Sequence, residues 1–161
     1  YMMEQWYYYV MNELIPRIFD INGTGQKIYT TGCSMGATHA ANFMFRRPDI
    51  FQGCICLSGY YDSDLFFDNY HDEILYRNSP IQYLHGMNYD HPYVEMYRHS
   101  HIVLCTGQGA WEDDMIRSTA RMKELFEYKD IPAWVDFWGY DVDHDWPWWR
   151  IQFPYFVERV V

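Results

Sequence analysis

The pentapeptide Gly32-Cys33-Ser34-Met35-Gly36 constrains the fold more than any other part of the chain. The form G-x-S-x-G is common by itself; its flanks make it specific. Lys27 to Cys33 (KIYTTGC) reads as a strand, and Ala37 to Arg47 reads as a helix that Pro48 stops. A serine held between a strand and a helix sits on a sharp turn, and that arrangement is a nucleophile elbow. Both glycines are expected to spare the neighbouring backbone a clash. The Ser34 hydroxyl should then stand out at the carboxyl edge of a sheet. The Met35 N–H, at the start of the helix, should point to where an oxyanion develops.

The remaining segments supply that sheet. Tyr1 to Phe19 carries Trp6, Val10, Leu14 and Ile18 at helical spacing, with Pro16 near the end. Asn22-Gly23-Thr24-Gly25 is a turn. Gly53 to Ser58 (GCICLS) and His101 to Thr106 (HIVLCT) are apolar runs of the kind buried on both faces, and Ala133 to Trp138 is the last strand. Helices are expected over Asp113 to Tyr128 and over Trp148 to Val160, with Pro154 at a kink or a boundary. Strands alternating with helices predict the α/β class, a mostly parallel sheet with helices on both faces. The length, 161 residues, is that of a single domain spanning 1–161. Between Tyr61 and Ser100 the alternation breaks. Asp62, Asp64, Asp68, Asp72, Pro80, Gly86 and Pro92 punctuate a polar, aromatic excursion with one or two short helices, one of them starting at Ser79-Pro80-Ile81. An insertion of this kind, 61–100, is expected to be a lid or an interaction surface.

A serine hydroxyl becomes a nucleophile only when a base takes its proton, and the base needs an acid to fix its tautomer. In this fold the order along the chain is serine, acid, histidine. The last histidine, His144, falls in the loop after the last strand. The acid should follow the preceding strand, where Gly107 to Asp114 (GQGAWEDD) offers Glu112, Asp113 and Asp114. Asp113 is favoured, because a helix beginning at Met115 would leave it on the inner edge of the loop; Glu112 is second. Trp111, Trp146, Trp148 and Trp149 flank the acid and base loops. They are expected either to pack beneath the site or, for Trp111, Trp146 and Trp149, to wall the substrate.

Composition narrows the partners. The net charge is −10 and Arg46-Arg47 is the largest basic cluster, which excludes nucleic acid and anionic membranes as expected partners. No apolar run is long enough to span a bilayer. Aromatic residues make up 20 % of the chain, more than a core needs, so some should line a cleft or a homo-oligomeric contact. Cys33, Cys54, Cys56 and Cys105 show no metal-site or bridging spacing and read as buried free thiols of a reducing, cytoplasmic compartment. Asp141, Asp143 and Asp145 imitate the start of a calcium loop, but Trp146 stands at the sixth position and Gln152 at the twelfth. His99 and His101 read as solvated histidines. No metal is expected.

With these residues in view, the chain resembles the α/β-hydrolase superfamily, and within it the putative-esterase family. GCSMGA at the elbow, GQGAWEDD at the acid loop and HDWPWW around the histidine carry the resemblance. His144, Trp146 and Trp149 are similar to that family's terminal His-x-Trp-x-x-Trp pattern. The resemblance implies Ser34 as nucleophile, His144 as general base then acid, and Asp113 as orienting carboxylate. It implies a serine esterase without a cofactor, acting on a small-molecule or carbohydrate ester through an acyl-enzyme. Acyl transfer to an alcohol is the alternative within enzymes; an inactive binding module is the alternative outside them. The family carries several strands and a helix before the elbow strand, and one of their loops gives the second oxyanion donor. These are expected to be missing from this sequence.

Overall fold

A computed structural model describes residues 2–63, 70 and 72–161. The chain enters through a helical run of α1 (Met2–Tyr9), a π-helical turn (Val10–Leu14) and α2 (Ile15–Asn22). This run passes Pro16 rather than stopping near it. Proline lacks the N–H for a helical bond and crowds the carbonyl one turn back. Here Pro16 stands in the first turn of α2, and the wider π turn directly precedes it.

Four parallel strands follow in the order in which they occur: β1 (Ile28–Cys33), β2 (Phe51–Leu57), β3 (His101–Thr106) and β4 (Trp134–Phe137). Between β1 and β2 lies α3 (Met35–Arg46). The excursion between β2 and β3 holds α4 (Glu73–Arg77), α5 (Pro80–Gly86) and α6 (Pro92–Arg98). That is more helix than expected: Pro80 and Pro92 each begin a helix, where a missing N–H costs nothing. Asp64 and Asp68 of the expected lid lie outside the described residues. The strands β3 and β4 are joined through α7 (Asp113–Tyr128), and α8 (Trp146–Val160) closes the chain. Pro154 lies inside α8 without ending it, at an exposed position.

Period-two alternation divides the core between the two faces of the sheet. Cys54, Cys56, Ile102 and Leu104 pack with Ala37, Ala41, Met44 and Phe45 of α3 and Met122 and Phe126 of α7. Ile55, Leu57, Val103 and Cys105 pack with Trp149 and Phe156 of α8. Helices therefore cover both faces. All four cysteines are unbridged. The helical entry is tied down by a charged contact: Arg46 donates to both Glu4 carboxylate oxygens at 2.6 and 3.1 Å, and Asn78 donates to one of them at 2.9 Å.

Register decides where the chemistry lies. Cys33 pairs with Leu57, Leu57 with Cys105, and Thr106 with Phe137, so the strands end level at one edge. The ladder runs one step further: Ser34 N–H donates to Leu57 O at 2.9 Å and Ser58 N–H to Cys105 O at 2.7 Å. The carboxyl edge of a parallel sheet is where α/β proteins place their sites.

Candidate active site

Ser34 occupies φ 55°, ψ −125°, a conformation that side chains rarely adopt. The turn is possible because α3 starts against β1. A β-carbon on Gly32 would lie 2.2 Å from the Gly36 backbone, so no other residue fits there. Gly36 differs from expectation: a β-carbon there meets nothing within 4 Å. Met35 is the first residue of α3, so its N–H is one of the donors that a helix start leaves without an intrahelical partner. Burial pushes the neighbouring Cys33 thiol upward from its ordinary value, so the thiol stays protonated near neutrality.

His144 reaches Ser34 from the loop after β4. Its Nε2 lies 2.9 Å from Ser34 Oγ, and its Nδ1 lies 3.3 Å from Glu112 Oε2. The carboxylate only accepts, so Nδ1 carries the proton and Nε2 accepts from the Ser34 hydroxyl. Glu112 is fully buried. It also accepts from Thr106 Oγ1 at 2.9 Å and from Ser58 Oγ at 2.5 Å.

The sequence favoured Asp113 beside His144, and the geometry replaces it with Glu112. Asp113 is the first residue of α7 and faces solvent, rather than standing on the inner edge of the loop. Asp114 pairs with Arg117. The tryptophans separate in the same way. Trp149 is buried, its ring edge-on to His144 with centroids 5.0 Å apart, and its Nε1 donates to Ser58 Oγ at 3.1 Å. It lies beneath the site, not along a substrate wall. Trp146 packs edge-on against Trp149, and Trp111, at φ 66°, is 85 % exposed.

The acid and base loops are laced together by backbone bonds. Gly109 N–H donates to Val142 O at 2.9 Å and His144 N–H to Ala110 O at 2.9 Å. Asp143 Oδ1 accepts from Ala110 N–H at 2.7 Å, and Asp145 caps α8 through Trp146 N–H at 2.6 Å. Two of the three aspartates that imitate a calcium loop thus serve the backbone. The close approach explains Gly107-Gln108-Gly109, since β-carbons would fall 2.0 Å from Val142 O and 2.3 Å from Asp143 Oδ1 respectively. Ser58 and Thr106 went unnoticed in the sequence; as ends of apolar strands they carried no motif.

A cavity of about 460 Å³ opens beside Ser34. Met3, Met35, Leu75 and Met115 give it an apolar lining. Its polar walls are already engaged: Asp62 with Arg121, Asn78 with Glu4, and Thr38 with the Tyr60 carbonyl.

The model of the family described as "Putative esterase" matches residues 1–159. The chain belongs to this family. Solved structures similar to this esterase-family chain include a ferulic acid esterase, at TM-score 0.73 and 18 % identity over 93 % of this chain and 58 % of that one. An S-formylglutathione hydrolase from Staphylococcus aureus matches at TM-score 0.69 and 16 % identity, over 98 % of this chain and 61 % of that one. The enterochelin esterase of Shigella flexneri matches at TM-score 0.62 and 17 % identity, over 91 % of this chain and 34 % of that one. At such identities the likeness establishes the α/β-hydrolase fold. The chain spans 58 % and 61 % of the lengths of the first two structures. Among curated proteins, none matches the chain in sequence. Among the described residues, no helix is long and apolar enough to cross a membrane.

Proposed function

We propose that the protein hydrolyses carboxylic esters through a serine acyl-enzyme. One observation carries this reading: Ser34 Oγ, His144 and Glu112 form a continuous hydrogen-bonded line, 2.9 and 3.3 Å long, at the carboxyl edge of the sheet. Ser34 attacks the ester carbonyl as His144 Nε2 takes its proton. The Met35 N–H donates to the oxyanion. The imidazolium, held by Glu112, then protonates the leaving alkoxide. Water opens the acyl-enzyme with His144 again as base. Each step uses groups of the chain, the ester and water.

The cavity beside Ser34 indicates the kind of ester. Its size is that of small-ligand sites, roughly 300–1,000 Å³. Among the described residues its lining is apolar and its polar groups are bonded within the protein, which favours an uncharged small-molecule ester over one with a free charge. A sugar ester fits if its apolar acyl group enters the cavity. Tyr60, Asp62, Ser63, Leu75 and Asn78 bring the excursion after β2 to the cavity wall, consistent with a lid-like part for 61–100. The four unbridged cysteines agree with a reducing, cytoplasmic setting.

Treatment with a fluorophosphonate followed by peptide mapping tests the reading. A single adduct on Ser34, absent in His144→Ala, is the expected result. A folded protein that stays unlabelled refutes it. Adding an alcohol acceptor to the ester assay separates hydrolysis from acyl transfer.

A further inference from the structure

Glu112 reaches His144 with a longer side chain than an aspartate has. A glutamate has one more torsion than an aspartate, and its carboxylate must still present one oxygen to His144. Thr106 and His144 both hold Oε2. Oε1 is held by Ser58 alone among the described residues, at 2.5 Å. Without that contact the carboxylate is held through Oε2 alone, and its turn about the terminal bond is less closely fixed.

Ser58 is placed for this contact by its backbone. It follows the last residue of β2 and takes φ 53°, a left-handed conformation that a residue with a β-carbon rarely adopts. Its N–H stays in the sheet, donating to Cys105 O at 2.7 Å. Its side chain is buried, and its hydroxyl oxygen also accepts from Trp149 Nε1 at 3.1 Å. That N–H fills one lone pair of the hydroxyl, which orients the Ser58 proton toward Glu112. Trp149 in turn lies edge-on to the His144 ring. Four groups from three separate segments thus close a circuit: Trp149 to Ser58, Ser58 to Glu112, Glu112 to His144, and His144 back to Trp149.

We propose that Ser58 is a positioning residue of this active site, fixing the rotation of the Glu112 carboxylate with its hydroxyl, and that Trp149 sets the direction of that hydroxyl. The catalytic part of this proposal rests on the serine-esterase reading; the positioning part does not. Two measurements on the same proteins keep them apart. The first is ester hydrolysis by the parent and by Ser58→Ala, normalised to folded protein by near-ultraviolet circular dichroism. The second is the downfield proton NMR resonance of the His144 Nδ1–H, which reports its bond to Glu112 whether or not the protein turns over.

Ser58→Ala is expected to lower kcat about 10- to 100-fold, the range for losing a hydrogen bond to a charged group, with KM within about twofold. The Nδ1–H resonance should move upfield and broaden. Trp149→Phe keeps a ring against His144 and leaves Ser58 its proton, so its loss should be smaller, about threefold, in keeping with a neutral hydrogen bond. Should Ser58→Ala not fold, Ser58→Cys retains the shape with a weaker donor and should shift both measurements the same way, by less. A folded Ser58→Ala protein with kcat within twofold of the parent and an unmoved resonance overturns the proposal. A parent that neither hydrolyses esters nor labels at Ser34 overturns the esterase reading; the resonance then decides the positioning of Glu112 by itself.

Discussion

Glu112→Gln tests the replacement of Asp113 by Glu112 most directly, because the change in shape is negligible and the change in charge is complete. Ser58, Thr106 and His144 all present donors to this carboxylate. The glutamine amide has one oxygen for them, so its nitrogen must face one side. The cheaper arrangement turns the nitrogen toward Ser58, whose hydroxyl can rotate to accept. The amide oxygen then faces His144 Nδ1–H and the tautomer survives. What disappears is the attraction between the carboxylate and the imidazolium that forms as Ser34 attacks. Glu112 Oε2 and His144 Nδ1 stand 3.3 Å apart, with the two side chains 0 % and 15 % exposed. At an effective dielectric near 20, that separation corresponds to about 4–5 kcal/mol. The ground state contains neutral histidine, so nearly all of this is lost from the transition state alone. At about 1.4 kcal/mol per decade, kcat should fall about a thousandfold, with KM little changed. Initial rates on a p-nitrophenyl ester, compared at equal amounts of folded protein, measure it. Asp113→Asn, which alters only an exposed residue at the start of α7, should stay within about threefold, as surface changes usually do. The reasoning is refuted if Glu112→Gln retains more than a tenth of the parent kcat while Asp113→Asn does not.

Three further outcomes follow from geometry already described. Gly32→Ala should unfold the elbow, costing more than about 3 kcal/mol by chemical denaturation because backbone must move, whereas Gly36→Ala should be neutral or stabilising by about 0.5–1 kcal/mol. Ser34→Gly should abolish fluorophosphonate labelling yet raise stability relative to Ser34→Ala by about 1 kcal/mol, since only the alanine keeps a β-carbon at φ 55°; equal melting temperatures would contradict this. For Glu4, burial raises the carboxyl pKa, but the hydrogen bonds from Arg46 and Asn78 outweigh it and hold the group below its ordinary 4.5. Its contribution is therefore fully present above pH 4.5 and is lost as pH falls through the lower folded-state value. Melting temperature against pH should show a steeper acid fall in the parent than in Glu4→Gln.

The elements were legible where pattern and packing agree. His101–Thr106 and Asp113–Tyr128 appear as read, because an apolar run between buried faces and a helix with one apolar side leave little choice. Helix ends near the prolines were less legible: Pro16 stands in a first turn after a π turn and Pro154 at an exposed position inside α8, and sequence shows neither circumstance. The carboxylate beside His144 lies one residue before the one favoured, because Asp113 already belongs to the helix and not to the inner edge of the loop. One step along a helical backbone turns a side chain by about 100°, enough to exchange the buried Glu112 for the exposed Asp113. Ser58 was out of reach altogether. Its partners Glu112 and Trp149 lie 54 and 91 residues away, and no local signal encodes such pairs.

The lacing of the acid loop to the base loop has a consequence for how such a protein changes over time. Gly109, Ala110, Val142 and His144 join through main-chain groups, so the bonds depend little on which side chains the loop tips carry. Trp111 and Tyr140, 85 % and 83 % exposed, stand on those tips. Mutation can redraw that rim, and with it the face offered to an arriving molecule, while Glu112 and His144 keep their mutual alignment. The glycines at 107 and 109 are the fixed cost of this freedom: lineages can vary the rim widely only while those two positions stay bare.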